Sequence, residues 1–347
     1  MTKPISRPKA GLNRQWLLRS RPTEMVAPEH FEWVEKPIPT AKDGEILVRV
    51  LYLSFDPTQR GWLNDVPSYV PPVKIGEVMR AGGVGRVLES RHSDYKVGDL
   101  VQGTFGWQDY CATKGSGVFP ISKVPAGIPP TYCLSVLGIT GLTAYFGMTQ
   151  VGKPKAGDVV VVSGAAGATG SVAGQIAKLQ GAEMVIGIAG GAEKCRWLVE
   201  HANYDAAIDY RDENVADRLQ ALCPKGVNVF FDNVGGAILD AVLLNMALHG
   251  RIALCGGISS GYGLELPPGP KHYMQLVIRR CTMEGFLVLD YVAEFPQAVE
   301  QLKSWLDDGK ICFQEDIQRD LENAPDTLRR LFTGKNIGKQ LLKVSDE

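Results

Sequence analysis

The 347-residue sequence has no Cys-x-x-Cys pair, no excess of either charge and no long apolar run. Its seven cysteines (Cys111, Cys133, Cys195, Cys223, Cys255, Cys281 and Cys312) are odd in number and widely spread. Such spacing makes neither a disulfide framework nor a structural zinc site. Lys and Arg number 37 against 38 Asp and Glu, a net charge of −1. That balance excludes a protein whose task is to coat nucleic acid or an anionic membrane, which needs a basic excess. No window approaches the ~20 apolar residues that span a bilayer. In the first third no His stands at a ligand-like distance from a Cys or another His, and His30 and His92 sit in polar, turn-rich surroundings. No metal is expected. Residues 1–22 lack any acid and carry Lys3, Arg7, Lys9, Arg14, Arg19 and Arg21. They also lack the apolar core of a secretory signal and are interrupted by Pro4 and Pro8. The reading is a solvated arm running into a strand at Gln15–Leu18 in a cytoplasmic protein, with a transit peptide as the alternative.

What is present is an apolar, turn-rich chain: 45% hydrophobic and 22% charged residues, with 39 Gly and 21 Pro. At this length two domains are expected. The first third reads as short strands cut by Gly, Pro and Asp, at 31–35, 45–54, 79–88, 100–105 and 111–113, which points to a β-barrel or sandwich. After Pro125–Pro130 a helical stretch, 135–150, precedes the β-branched run Val159–Val162, of the kind covered on both faces. Strands expected at 184–189, 207–209, 227–232, 251–255 and 281–288 then alternate with helices at 170–180, 192–202, 214–222 and 238–247. Alternation of this kind means an α/β, doubly wound parallel sheet. A helix at 291–308 and a short β/α/β tail ending in Gly338–Val344 close the chain.

The most informative stretch is Val159–Gly181, VVVVSGAAGATGSVAGQIAKLQG. A buried strand runs into small residues that open a helix, with Ala166, Gly167, Ala168, Thr169 and Gly170 at the turn. Small side chains admit a pyrophosphate to the backbone, and the helix start offers free N–H groups and a positive dipole end. The second strand ends in Ile188-Ala189-Gly190-Gly191, with no acid before Glu193 and then Lys194. An NAD site usually has a carboxylate there for the ribose hydroxyls. Its absence and Lys194 favour NADP(H), although Lys194 also reads as an ordinary solvated lysine at a helix start. Without a metal to act as Lewis acid, the chemistry left is hydride transfer supported by hydrogen bonds.

Several further motifs occur together: SFDPTQRG (54–61), PSYVPPV (67–73), GWQDY (106–110), GAEKCR (191–196), FDNVGG (231–236), CGGIS (255–259), LPPGP (266–270) and GKNIGK (334–339). With them the chain resembles the zinc-independent medium-chain dehydrogenase/reductases. The resemblance is to the leukotriene B4 12-hydroxydehydrogenase / prostaglandin reductase family, and within it to the bacterial NADPH-dependent curcumin reductases. It implies a Rossmann sheet, residues 129–309, inserted in a GroES-like β-barrel catalytic domain, residues 1–128 and 310–347. It also implies Lys194 and Tyr210 as contacts to the 2′-phosphate, and Asn233, Cys255, Ser259, Phe286, Val288 and Asn336 as contacts to the rest of NADP(H). The reaction implied is reduction of the C=C bond of an α,β-unsaturated ketone or aldehyde, in a homodimer, with Tyr262 and Tyr69 meeting the charge on the substrate oxygen. An apolar sixth strand running through Phe286–Leu289 is expected to pair across the dimer axis.

Two departures from the family pattern stand out. Thr58-Gln59 replaces Tyr-Met, and Ser260-Gly261-Tyr262 replaces Ser-Tyr-Asn, which displaces the family tyrosine by one position. An altered, more polar substrate pocket is expected. An NADPH:quinone reductase and a non-catalytic NADPH-binding sensor are the alternative readings.

Overall fold

The computed structural model describes residues 5–6, 8–116, 120–265 and 267–346; Lys3, Pro4 and Arg7 of the basic arm and Leu266 of LPPGP lie outside the described residues. The β-branched runs of the first third form strands β1 (Leu12–Leu18), β2 (Phe31–Pro37), β3 (Ile46–Ser54), β4 (Gly82–Ser90), β5 (Leu100–Thr104), β6 (Tyr110–Thr113) and β7 (Ser122–Lys123). The α-helix among them is the four-residue α1 (Thr58–Gly61). The imperfect alternation of β3 has a simple cause. Ile46, Leu47, Val48, Val50, Leu51 and Leu53 are all buried, so both of its faces are covered.

A short helical turn at Pro130–Leu134 and helix α2 (Ile139–Phe146) lead to the second sheet. Its strands are β8 (Val159–Ser163), β9 (Met184–Ala189), β10 (Ala206–Asp209), β11 (Val227–Asp232), β12 (Met246–Leu254) and β13 (Thr282–Gly285). They lie in the order β10-β9-β8-β11-β12-β13, and every pair is parallel. Counted from β8 this is the order 3-2-1-4-5-6, the Rossmann arrangement, with its switch point between β8 and β11. Helices α3 (Ala168–Leu179), α4 (Ala192–Glu200), α5 (Val215–Leu222) and α6 (Gly236–Leu244) supply the crossovers. Helices α7 (Met274–Arg279) and α8 (Phe295–Asp307) flank β13. The tail then leaves this sheet. Strand β14 (Glu315–Arg319), helix α9 (Ala324–Phe332) and strand β15 (Lys339–Lys343) extend the first sheet, β15 pairing antiparallel with β3.

Four local expectations are corrected. The helix expected over 135–150 is divided: α2 ends at Phe146 and a π-helical turn, Gly147–Gly152, follows. A Cβ at Gly147 would run into the rings of Phe231 and Phe286, so the absent side chain admits both aromatics. The helix expected over 238–247 stops at Leu244, because β12 begins at Met246 and runs to Leu254, longer than the strand expected at 251–255. The sixth strand is only Thr282–Gly285, not 281–288. Phe286 turns toward Phe231, with ring centroids 6.1 Å apart, and Val288 begins a helical turn, so the Phe286–Leu289 run does not lie in the sheet. Helix α7 has no counterpart in the sequence reading, since its apolar residues are not buried within the chain.

Gly174, one turn into α3, serves packing. A Cβ there would overlap the ring and hydroxyl of the buried Tyr204, which donates a 2.6 Å hydrogen bond to the Gly170 carbonyl. Gly174→Ala is therefore expected to destabilise the fold by about 1–3 kcal/mol through overpacking. A lowered urea midpoint at unchanged slope would register it.

Candidate active site

The site is assembled at the carboxyl ends of β8, β9, β11 and β12. Beyond Ser163 the chain turns through Gly164, at φ +57°, and α3 opens at Gly167. The turn is closed by a 2.9 Å bond from the Gly167 N–H to the Gly164 carbonyl. A Cβ at Gly170 would collide with that carbonyl, so glycine is needed for α3 to approach the strand. Ala166 is buried, and Ala168, Thr169 and Gly170 form the first turn of α3, which contains no acid. Across the switch point, Asn233 faces Gly164 and donates from Nδ2 to the Ser163 carbonyl at 2.7 Å. The tail reaches the same turn: the Gly338 N–H donates to the Ala166 carbonyl at 2.8 Å, and Asn336 Nδ2 donates to the Gly338 carbonyl at 3.1 Å.

At the end of β9, Gly190 and Gly191 carry no side chain, and the space is bordered by Tyr210, Arg211 and Lys194. A Cβ at Gly190 would stand 2.8 Å from the Tyr210 hydroxyl and 2.9 Å from Arg211 Nε. A Cβ at Gly334 would stand 2.8 Å from Arg211 Nη2 and 4.0 Å from Lys194 Nζ. Lys194 donates to the Gly334 carbonyl at 2.8 Å. Burial, and next the charge of Arg211, hold the Lys194 pKa below its usual value. Asp316 and Glu193 act in the opposite sense on Lys194, raising its pKa. Asp209 accepts the N–H groups of Gly191 and Arg211, and Asp316 pairs with Arg330 at 2.6 Å. Two neighbouring cations, one of them partly desolvated, form a site suited to a dianion. Sequence reasoning missed Arg211; its signal was the absent acid after Ala189, but only the sheet order sets the end of β10 beside the end of β9.

The opposite end holds the tyrosines. Tyr262 follows β12 in a left-handed conformation, φ +52°. Its hydroxyl accepts the Gly257 N–H at 3.1 Å and stands 3.0 Å from where a Cβ at Gly256 would be. Among the described residues its own O–H proton has no protein acceptor. Burial, chiefly, raises the Tyr262 pKa, with Cys255, Tyr69 and Asp232 contributing, which puts Tyr69 in its neighbourhood. Tyr69 is half-exposed. Cys255 lies beneath, its thiol pushed up to about 12 by burial and by Asp232. Asp232 is fully buried: Oδ1 accepts from Ser163 Oγ and from the Val234 and Gly235 N–H groups, while Oδ2 has no protein partner.

The remaining expected residues lie around this edge. Ser259 Oγ donates to the Val234 carbonyl at 2.6 Å, Phe286 packs on Phe231 and Gly147, and Val288 is buried. Gly257–Gly261 has the Gly-x-Ser-x-Gly spacing of a nucleophile elbow. Here, however, Ser259 sits in a three-residue helical turn with its hydroxyl committed to Val234, not on a strand-to-helix elbow. Of Thr58-Gln59 only Thr58 is accessible; Gln59 is fully buried and donates to the Ser54 carbonyl at 2.8 Å. Among the described residues no group of three or more His, Cys, Asp or Glu could hold a metal ion, and no helix is long and apolar enough to cross a membrane.

A dinucleotide phosphate fits these residues. The glycine turn and the start of α3 suit a pyrophosphate, and Arg211 and Lys194 come together at Gly334, where a Cβ would press on Arg211 Nη2. Fold and site thus define an NADP-dependent oxidoreductase with a Rossmann sheet and a separate sheet domain.

Comparison with known proteins narrows the class. Residues 14–121 match the family described as the N-terminal domain of oxidoreductase, and residues 168–304 the one described as zinc-binding dehydrogenase. The NADPH-dependent curcumin reductase of Escherichia coli (strain K12) is 42% identical over 340 residues, covering 96% of this chain and 98% of that protein. The 2-alkenal reductase (NADP(+)-dependent) of Nicotiana tabacum is 41% identical over 307 residues, 88% of each chain. Prostaglandin reductase 1 of Bos taurus is 34% identical over 336 residues, 95% of this chain and 99% of that one. The crystal structure of CurA in complex with NADPH from Vibrio vulnificus superimposes with a TM-score of 0.90 at 40% identity, covering 96% of this chain and all of that one. The chain belongs to the zinc-independent medium-chain dehydrogenase/reductases, in the family that includes curcumin reductase and prostaglandin reductase.

Proposed function

We propose that this protein reduces the C=C bond of α,β-unsaturated ketones and aldehydes with NADPH. The observation that carries the reading is the Tyr262 hydroxyl, held at the switch-point edge by the Gly257 N–H with its own proton undonated. NADPH, when bound, supplies a hydride to the β-carbon of the conjugated carbonyl. Lys194, Arg211 and Tyr210 hold the 2′-phosphate. Ala166, Gly167, Ala168, Thr169 and Gly170 receive the pyrophosphate at the start of α3, and Asn233, Cys255, Ser259, Phe286, Val288 and Asn336 line the rest of the cofactor's course. As negative charge develops on the substrate oxygen, Tyr262 donates a hydrogen bond to it, with Tyr69 as the second phenol beside the substrate. The α-carbon takes its proton from Tyr262 or from water.

Because burial raises the Tyr262 pKa above that of a free phenol, the hydroxyl stays protonated through neutral and mildly alkaline pH. A profile of kcat is expected to show no alkaline loss from this group below about pH 10, the ordinary phenol value. A fall centred near neutrality that disappears in Tyr262→Phe would contradict it.

The reading is tested with enones, enals and quinones, each offered with NADPH and with NADH. Saturated ketone or aldehyde as product, formed faster with NADPH, is the expected result. Hydroquinone formation with inert enones would establish the quinone-reductase alternative, and cofactor binding without turnover of any acceptor would establish the sensor.

Residues 1–128 with 310–347 are assigned to substrate binding, residues 129–309 to the nucleotide, and the protein to the cytoplasm. A homodimer is supported by β13, which among the described residues pairs only with β12, and by the exposed Tyr273, Met274, Val277 and Ile278 beside it.

A further inference from the structure

Arg60 and Asn64 belong to the first-third side of the cleft, and both side chains are withdrawn from water: Arg60 is fully buried and Asn64 is 7% exposed. Among the described residues the Arg60 guanidinium meets no carboxylate. It donates to the carbonyls of Pro22 and Glu24, and from Nη1 to Asn64 Oδ1 at 2.7 Å. A buried cation satisfied only by neutral oxygens is a demanding arrangement, stable because its donors are paired. One consequence is orientation. With Oδ1 taken by Arg60, the carboxamide of Asn64 must present its NH2 group on the other side.

That group crosses to the nucleotide-binding half. Asn64 Nδ2 donates to the Tyr262 carbonyl at 2.8 Å and to the Gly263 carbonyl at 3.4 Å, a contact between residues 198 positions apart. Tyr262 holds a left-handed backbone, which a residue with a large side chain adopts only when its surroundings over-determine it. The start of the loop is tied just beyond the end of β11, with the Ile258 N–H donating to the Asn233 carbonyl and the Ser259 N–H and Oγ to the Val234 carbonyl. Within the loop the Tyr262 N–H donates to Ser260 Oγ, Ser260 Oγ to the Gly257 carbonyl, and the Gly257 N–H to the Tyr262 hydroxyl. The external bonds anchor the Ile258–Ser259 end of the loop to the nucleotide-binding half. Asn64 supplies the tie at the other end, from the first-third side, and it acts on the carbonyl of the residue whose hydroxyl faces the substrate.

We propose that Asn64, oriented by Arg60, is a positioning residue for the Tyr262 hydroxyl, holding the Tyr262–Gly263 end of the loop so that the phenol stands over Gly256. This rests on the reading of Tyr262 as the donor to the substrate oxygen. The test is Asn64→Asp, which keeps the size and the contact with Arg60 but turns an acceptor, not a donor, toward the two carbonyls. Asn64→Ser serves as a second variant, and an NADPH affinity within about twofold of wild type establishes that either is folded around its cofactor. A displacement of the phenol on the order of 1 Å is expected to lower kcat for an enone by about 10- to 100-fold. Amide exchange of the 256–263 segment is expected to accelerate, including at Gly257, whose N–H the hydroxyl accepts. In a Tyr262→Phe background the added loss from Asn64→Asp is expected to shrink to about twofold or less, because the two act through one group.

An undiminished loss in that background, or unchanged exchange in the segment, overturns the positioning role. A slow Tyr262→Phe beside a wild-type Asn64→Asp also overturns it and leaves the donor reading standing. Should Tyr262→Phe alone keep wild-type kcat, the donor reading fails and the positioning role falls with it.

Discussion

Tyr262→Phe is expected to lower kcat for enone reduction by about 10²–10³, the usual loss when one preorganised donor to a developing oxyanion is removed. The argument is geometric. The hydroxyl already accepts the Gly257 N–H, so its lone pair is oriented and its proton is directed away from the loop. Rotation of the phenol is restricted by partial burial and by the closeness of Gly256, where any side chain would crowd the oxygen. Such a donor is worth more than a water molecule because it need not reorganise as charge appears. The ring remains in the variant, so NADPH affinity and thermal stability are expected to stay near wild type. Single-turnover rates of NADPH oxidation would isolate the hydride step. A variant that loses only affinity for the enone would place Tyr262 in binding and not in charge stabilisation.

The second large effect concerns the choice of cofactor. Lys194→Ala and Arg211→Ala together are expected to lower kcat/KM for NADPH by about 10³, in the range measured when a charged hydrogen-bonding partner is removed from a partly desolvated site. The same pair is expected to leave the NADH value nearly unchanged. The two single losses are expected not to add, because the two cations are neighbours at Gly334 and would share one dianion. Each also relieves the other. Without Arg211, one cause that holds the Lys194 pKa down is gone. Initial rates with the two cofactors decide the matter, and an equal fall with NADH would place the pair in structure and not in recognition of the phosphate.

The two predictions differ in how far local sequence carries them. The glycine turn was legible because its requirements are local: a β-branched strand, small residues at the bend and a helix that opens on them, all within Val159–Gly181. Lys194 was legible in the same way, as the residue after a strand end with no acid. Tyr262 entered only through a family pattern from which this chain departs by one position. What keeps its phenol at the cleft despite that shift is a left-handed backbone and the Gly257 N–H, and neither is encoded by hydropathy or periodicity.

Where expectation failed, distant contacts had overruled local preference. The apolar run Phe286–Leu289 reads as a continuation of the sixth strand, but Phe286 is drawn off toward Phe231 and the space left by Gly147. Helix α7 was invisible for the converse reason: Met274, Val277 and Ile278 lie exposed and Leu276 packs only partly on the core, so no buried stripe marks it.

By itself, then, the sequence determined the alternation of strands and helices around the dinucleotide turn, that turn itself and the absence of a zinc-ligand pattern, because each depends on residues a few positions apart. Tertiary structure alone decided that Arg211 stands beside Lys194, that the tail meets Ala166 through Gly338, and that Asn64 holds the carbonyl of Tyr262. Those contacts follow from strand order and from the return of the tail to the first sheet, and strand order is settled by the packing of the whole chain.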